Sequence, residues 1–295
     1  MTELLQQLVD GLGQGSIYAL LALGLALIFG VLHLVNFAHG ELITVSAYVT
    51  YWLASQGVGW DLLVPAILLT SIVAAVLIEL LAFRWVRGAS EFTMLLTSFG
   101  VHFVVSALFV MYVSPRPLAF PKPSWIFSTI RVGGVSMEIV DLVTIAATLV
   151  TLALTAWLLQ RTLFGISLRA AAEDFGAAAL MGVKGDRVIR GAFALSGLLA
   201  GVAGVFWLMR TGTAEPNAGL TPLLFGVIAA IVGGLGSLTG AVLGGLALGI
   251  VSALLRGFLP DDVAGLTEGF LFVLVALLFV VRPQGLVTVR RAERV

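Results

Sequence analysis

The 295-residue sequence contains no cysteine. Disulfides, thiolate metal sites, iron–sulfur clusters and cysteine nucleophiles are therefore excluded. Lysine is almost as scarce. Lys122 and Lys184 are the only two, and neither sits in a G-x-x-x-x-G-K-[ST] loop, so a Walker A site is not expected in this chain. Charge of either sign is sparse: 11 % of residues are charged, against about 25 % in a soluble domain. Sixteen basic residues balance sixteen acidic ones, which leaves no basic stripe for nucleic acid. Three histidines cannot build much metal chemistry alone. What the sequence has in excess is apolar surface: 60 % of residues are hydrophobic and the mean hydropathy is +1.10. A soluble protein of about this length buries only about 75 % of what its unfolded chain exposes, so much of this chain is expected to face lipid.

Stretches free of Asp, Glu, Lys and Arg run 11–40, 42–60, 62–78, 92–115, 142–160, 191–209 and 216–255, and a further apolar run, 263–281, is broken only by Glu268. About 20 apolar residues cross the hydrocarbon core as a helix. The 216–255 stretch is long enough for two crossings, divided around Gly233-Gly234-Leu235-Gly236-Ser237. The fold class expected is therefore all-α: one domain over residues 1–295, a polytopic membrane bundle of eight or nine spans. Segment 36–54 admits two readings. It opens on polar residues and is either a crossing or a re-entrant or broken helix. Strands are not expected, because a backbone in lipid must satisfy its amides within its own segment unless it closes into a barrel.

Basic residues orient such a bundle. Arg84, Arg87, Arg161, Arg169, Lys184, Arg187, Arg190, Arg282, Arg290, Arg291 and Arg294 would be cytoplasmic by the positive-inside rule, and Arg116, Lys122, Arg131, Arg210 and Arg256 external. Nine crossings put the N-terminus outside, eight put it inside, and the C-terminus is cytoplasmic in both cases. Residues 114–138, with S-P-R-P and F-P-K-P-S-W, read as an irregular external loop.

Residues 161–190 form a cytoplasmic segment of a different kind. Ala170–Ala172 and Ala177–Leu180 favour helix, and Gly182 and Gly185 are placed to stop it. One or two short helices are expected, with Glu173 and Asp174 between them and Phe175, Leu180 and Met181 offering an apolar contact face. An interfacial anchor would be richer in Lys and Arg; this acidic, small-residue centre suits docking into a protein groove.

R-A-A-A-E-D-F-G-A-A-A-L-M-G-V (Arg169 to Val183) resembles the cytoplasmic coupling segment of branched-chain amino acid ABC transporter permeases. The same resemblance extends over Gly15 to Val31, N-F-A-H-G-E (Asn36 to Glu41), Ser196 to Val205, and G-G-L-G-S-L-T-G-A-V-L-G-G (Gly233 to Gly245). It implies an inner-membrane subunit of a bacterial importer. Its partners would be a second related permease, two cytoplasmic ATPases and an external substrate-binding protein. This chain would hold no cofactor; ATP and magnesium would belong to the ATPase subunits. Arg169, Glu173, Asp174, Phe175, Leu180, Met181 and Gly182 become the candidate ATPase-coupling residues.

Asn36, His39 and Glu41 interrupt an apolar run, and ionisable groups inside a membrane need a partner or water. One reading places them at a helix break near the pathway. The other places them in a turn at the inner face, where Asn36 caps the next helix; the alternation of spans favours this second position. His102, deep in the fourth span, is a hydrogen-bonded packing residue or a pathway residue. Gly233, Gly234, Gly236 and Ser237 are either a tightly packed turn or an unwound stretch lining the passage. Gly236, Gly240 and Gly244, followed by Gly245 and Gly249, recur four apart, as do Gly197 and Gly201, a spacing that lets helix backbones approach closely.

The function expected is a permease for ATP-driven import of branched-chain or related amino acids. A urea, amide or other small-solute permease of the same kind is the nearest alternative. A secondary transporter would bury acidic residues for ion coupling, and only Glu79 and Glu268 are candidates. A channel would conduct without nucleotide.

Overall fold

The computed structural model describes residues 2–132, 135–282 and 285–287; Arg290, Arg291 and Arg294 lie outside these. Among the described residues there are twelve α-helices. The chain begins with α1 (Thr2–Leu32), a 3-10 turn (Phe37–Gly40), α2 (Glu41–Ser55) and α3 (Trp60–Ile78). A π-helical turn (Glu79–Phe83) leads into α4 (Arg84–Val86), which is followed by α5 (Glu91–Tyr112). Three short strands come next: β1 (Leu118–Ala119), β2 (Thr129–Val132) and β3 (Val135–Glu138). The helices resume with α6 (Ile139–Arg161), α7 (Leu163–Glu173), α8 (Phe175–Leu180) and α9 (Gly185–Thr211). After β4 (Thr213–Ala214) come α10 (Leu220–Gly233), α11 (Leu238–Phe258) and α12 (Thr267–Val281).

Six of these helical stretches are long and apolar enough to cross a membrane, and α10 and α12 are shorter apolar helices. Together they make eight, with α2 as a ninth, partial segment, in agreement with the eight or nine spans expected. The proline-rich stretch 114–138 is less irregular than its composition suggests. β1 pairs antiparallel with β4, and β2 with β3 in the register Thr129↔Glu138. Prolines follow helix α5 without preventing these brief ladders, β1 between Pro117 and Pro121 and the other two strands after Pro123.

α1 and α9 are the buried hub; α3, α5 and α6 expose most of their apolar surface. Small residues set the spacing. A methyl on Gly197 would lie 2.8 Å from the Ala75 side chain, and one on Gly201 3.1 Å from that of Ser71, so α9 runs antiparallel to α3 with the backbones close. Gly15 likewise faces Leu246, and Gly11 faces Ile250, which sets α11 antiparallel against α1. Gly240 packs against Gly233, and Gly244 against Ala229.

These pairings sort the cations. Arg84, Arg87, Arg161, Lys184, Arg187 and Arg190 gather at one end of the bundle, called here the basic end. There Arg87 bridges Glu79 and Asp186, joining the end of α3 to the start of α9. At the opposite end Arg210 pairs with Asp141 at 2.5 Å, and Lys122 Nζ donates to the Arg210 carbonyl.

Candidate functional site

Helix α1 stops at the basic end. His33 takes a left-handed conformation (φ 54°), and its N–H donates to the Phe29 carbonyl, an αL helix end usually given to glycine. The chain then turns back into the bundle. The Asn36 side chain accepts from the Ala38 N–H (3.0 Å), capping the 3-10 turn. Helix α2 starts only afterwards, at a depth its neighbours define. His39 Nδ1 lies 3.2 Å from Ser196 Oγ, close to the midpoint of α9. Glu41 Oε1 and His102 Nδ1 form a hydrogen-bonded pair at 2.5 Å, and His102 is at the centre of α5. Asn36, His39 and Glu41 are all buried. Segment 36–41 is therefore inside the bundle at mid-depth, not in a turn at the inner face as the alternation of spans favoured. That alternation assumes each helix starts at a membrane surface, and α2 does not.

From there α2 rises alongside α5: the Phe37 and Phe99 rings stack, then Tyr48 on Phe109, and the Tyr48 hydroxyl donates to the Ser114 carbonyl. Its 15 residues span about 22 Å, less than the roughly 30 Å core.

A second half-helix meets it. After β4 the chain enters from the opposite end and α10 begins at Leu220. The Gly219 N–H donates to Thr44 Oγ1 (3.1 Å), and a methyl on Gly40 would lie 2.8 Å from the Gly219 carbonyl oxygen. The starts of α2 and α10 thus touch, backbone on backbone, halfway through the bundle. α10, with 14 residues, runs about 21 Å toward the basic end. Ser106 of α5 donates to Asn217 just ahead of it (3.0 Å).

The two positive helix ends converge, and Glu41, in the first turn of α2, turns its carboxyl to His102 of α5. Thr44, one helical turn on, faces the same way. His102, Glu41, Thr44 and Gly219 thus form a chain of polar contacts from α5 through α2 to α10. Among the described residues, His39 Nε2 and Glu41 Oε2 are buried without a hydrogen-bond partner. Buried polar atoms of this kind are rare and demand one.

Thr44 and Gly219 were not singled out from the sequence, and Gly40 and Ser196 entered only as members of longer motifs. Asn217, Gly219 and Pro222 inside the apolar run 216–255 were the available signal: a break before α10 at a place where a full crossing would have no reason for one. Gly233, Gly234, Gly236 and Ser237 lie elsewhere. They form the tight reversal between α10 and α11 near the basic end, with Gly234 and Gly236 at positive φ and Ser237 capping α11 through the Gly240 N–H (2.9 Å). The 285–287 segment closes over this turn, where the Val287 N–H donates to the Gly233 carbonyl. An unwound stretch at mid-depth is not found there.

The segment expected to couple to a motor is two helices. Glu173 ends α7 and is exposed; the Asp174 side chain accepts from the Ala177 N–H (2.9 Å), capping α8. Gly182, at φ 87°, ends the pair. Gly185 does not act as a stop: it opens α9, and a methyl there would lie 2.5 Å from the Phe175 ring. Arg169, though exposed, donates to the Leu159 carbonyl, fastening α7 to the end of α6. Leu180 is 91 % exposed, Met181 85 % and Phe175 42 %. This is an apolar knob carried on short, well-anchored helices.

Comparison with known proteins identifies the family. The family described as "Branched-chain amino acid transport system / permease component" matches residues 7–281. BraD of Pseudomonas aeruginosa, a high-affinity branched-chain amino acid transport system permease protein, is 29 % identical over 99 % of this chain and 98 % of its own. LivH of Escherichia coli K12, of the same description, is 32 % identical over 99 % and 97 %. A solved transporter assigned to the metal-chelate ABC type, inward-facing, overlays with a TM-score of 0.48 at 19 % identity, over 94 % of this chain and 85 % of that one; this overlap is too loose to carry weight. With the family matched across nearly its whole length, the chain belongs to the branched-chain amino acid transport system permease components.

Proposed function

We propose that this permease imports branched-chain or related amino acids, driven by separate ATPase subunits, with the basic end in the cytoplasm. The positive-inside distribution supports that orientation. It also agrees with nine segments, an external N-terminus and a cytoplasmic C-terminus. A second permease subunit and an external binding protein complete the assembly, and nucleotide and magnesium are held by the ATPases.

The observation that carries the coupling reading is the exposed Leu180–Met181 knob beside Glu173, on helices fastened to the bundle by Arg169 and by Phe175 against Gly185. A rigid attachment transmits displacement. A motor gripping the knob would move α7 and α8, and with them the ends of α6 and α9. The half-helices lie at mid-depth against α5 and α9, where that motion would part or close the Gly40–Gly219 contact. A small zwitterion passing this level would meet the Glu41 carboxyl and two positive helix ends, groups suited to an ammonium and a carboxylate. Broken backbone at membrane depth is tolerated where it lines a cavity or protein, as this reading requires.

The test replaces Leu180 and Met181 together with Asp in the complete transporter. Loss of ATPase co-purification and of uptake, with an unchanged unfolding temperature of the permease, is the expected result. Full ATPase association and uptake in that variant would remove the coupling assignment.

A further inference from the structure

A cavity of about 830 Å³ opens at the basic end, between the end of α1, the start of α5 and the start of α9. Its size falls in the range of small-ligand sites. Its lining is chemically mixed. Val31, Leu32, Met94, Phe175 and Ile189 are apolar. Lys184, Arg187 and Arg190 are basic, and Asp186 among them is paired with Arg87. Arg187 and Arg190, three residues apart, share one face of the first turns of α9, and Lys184 is the residue that precedes the helix.

The fourth cation of the lining, Arg87, is committed to Glu79 and Asp186. Among the described residues no ion pair holds Lys184, Arg187 or Arg190. The Arg190 Nε donates to the Asp186 carbonyl (3.1 Å), a bond that leaves its charge uncompensated. The cavity also sits at a recognisable level. Trp85 is 79 % exposed and Phe92 71 %. They bracket the α4–α5 turn that supplies Arg87 and Gly88 to the lining, and exposed aromatics at the end of a membrane helix mark the headgroup zone.

We propose that this cavity binds a phospholipid with an anionic headgroup. The phosphate sits among Lys184, Arg187 and Arg190, and an acyl chain lies along Val31, Leu32, Met94 and Ile189. Charge-assisted bonds to phosphate account for the basic lining. A free anion or an acidic peptide would leave the apolar lining without purpose, whereas basic pockets between membrane helices suit lipid headgroups. This inference depends on the chain being embedded in a membrane and is independent of which solute it carries.

The experiment purifies the complete transporter from bilayers of equal phosphatidylglycerol and phosphatidylethanolamine and measures co-purifying lipid by native mass spectrometry. The wild type should retain phosphatidylglycerol in preference to phosphatidylethanolamine. A Lys184→Gln/Arg187→Gln/Arg190→Gln variant should retain phosphatidylglycerol more than about tenfold less well, given the contribution of each cation near a membrane surface. Leu32→Trp, which fills the apolar part and leaves the charges, should lower retention as well, and decides the matter if the triple variant does not assemble. Equal retention of both lipids by the wild type, or undiminished phosphatidylglycerol in the variants, overturns the proposal. Complete displacement by millimolar inorganic phosphate would assign the site to a free anion instead. Loss of the ATPase with phosphatidylglycerol retained would assign the surface to the motor.

Discussion

The Glu41–His102 pair joins two residues 61 positions apart, both buried, at the middle of the bundle. Removing one member of such a pair strands the other away from water. His102→Ala should cost about 1–3 kcal/mol, whereas Glu41→Leu with His102→Leu together should recover most of that loss; thermal unfolding in detergent measures both. Uptake should fail in the double variant despite its stability, if the polar chain serves transport. Gly219 gives a second residue-scale test. A methyl there would run into the Gly40 backbone, whereas one on Gly265 meets nothing within 4 Å. Gly219→Ala should destabilise by about 1–3 kcal/mol or more through overpacking, and Gly265→Ala should leave the unfolding temperature where it was. His39, Glu41 and His102 were legible as unusual residues from composition alone, because polar groups in an apolar run stand out. That Glu41 belongs with His102, and His39 with Ser196, was not legible, since a single sequence carries no record of contacts between distant helices.

At the scale of elements, the short helices α7 and α8 follow from local rules. Alanine supplies propensity, Asp174 a cap and Gly182 the positive φ that ends the run. Asp174→Ala should cost about 1 kcal/mol through the lost cap of α8. Faster amide exchange over residues 175–181, with α9 unchanged, is the expected signature, and Asp174→Asn should restore protection. The half-helices obey the opposite logic. Segment 36–54 was expected to be either a crossing or a broken helix, and its polar opening is the visible trace of the break. The break before α10 was not expected, because an apolar run of forty residues divides naturally at its glycines. It does divide at Gly233–Ser237, but α10 also starts late, after the chain from β4 has already descended halfway. Length and hydropathy cannot distinguish a residue spent on extended chain from one spent on helix.

For the whole molecule, the orientation of the basic end is the consequential quantity. The absence of native cysteine makes it directly measurable. Leu180→Cys should react with a membrane-impermeant maleimide only from the cytoplasmic side, and Ile130→Cys, 43 % exposed on β2, only from outside. The reverse pattern would invert the assembly and separate the knob from any cytoplasmic motor. Composition by itself determined that this chain lives in lipid as a helix bundle, that its cations divide between two ends and that a polar, helix-rich segment hangs from one of them. Those properties are sums over residues or depend on near neighbours in sequence, so they survive without coordinates. Only the tertiary structure decided that α2 and α10 begin at mid-depth with Gly40 against Gly219, that Glu41 faces His102, and that three cations share a cavity with apolar side chains. Each of these depends on where separate helices stop against one another, which is set by packing across the bundle.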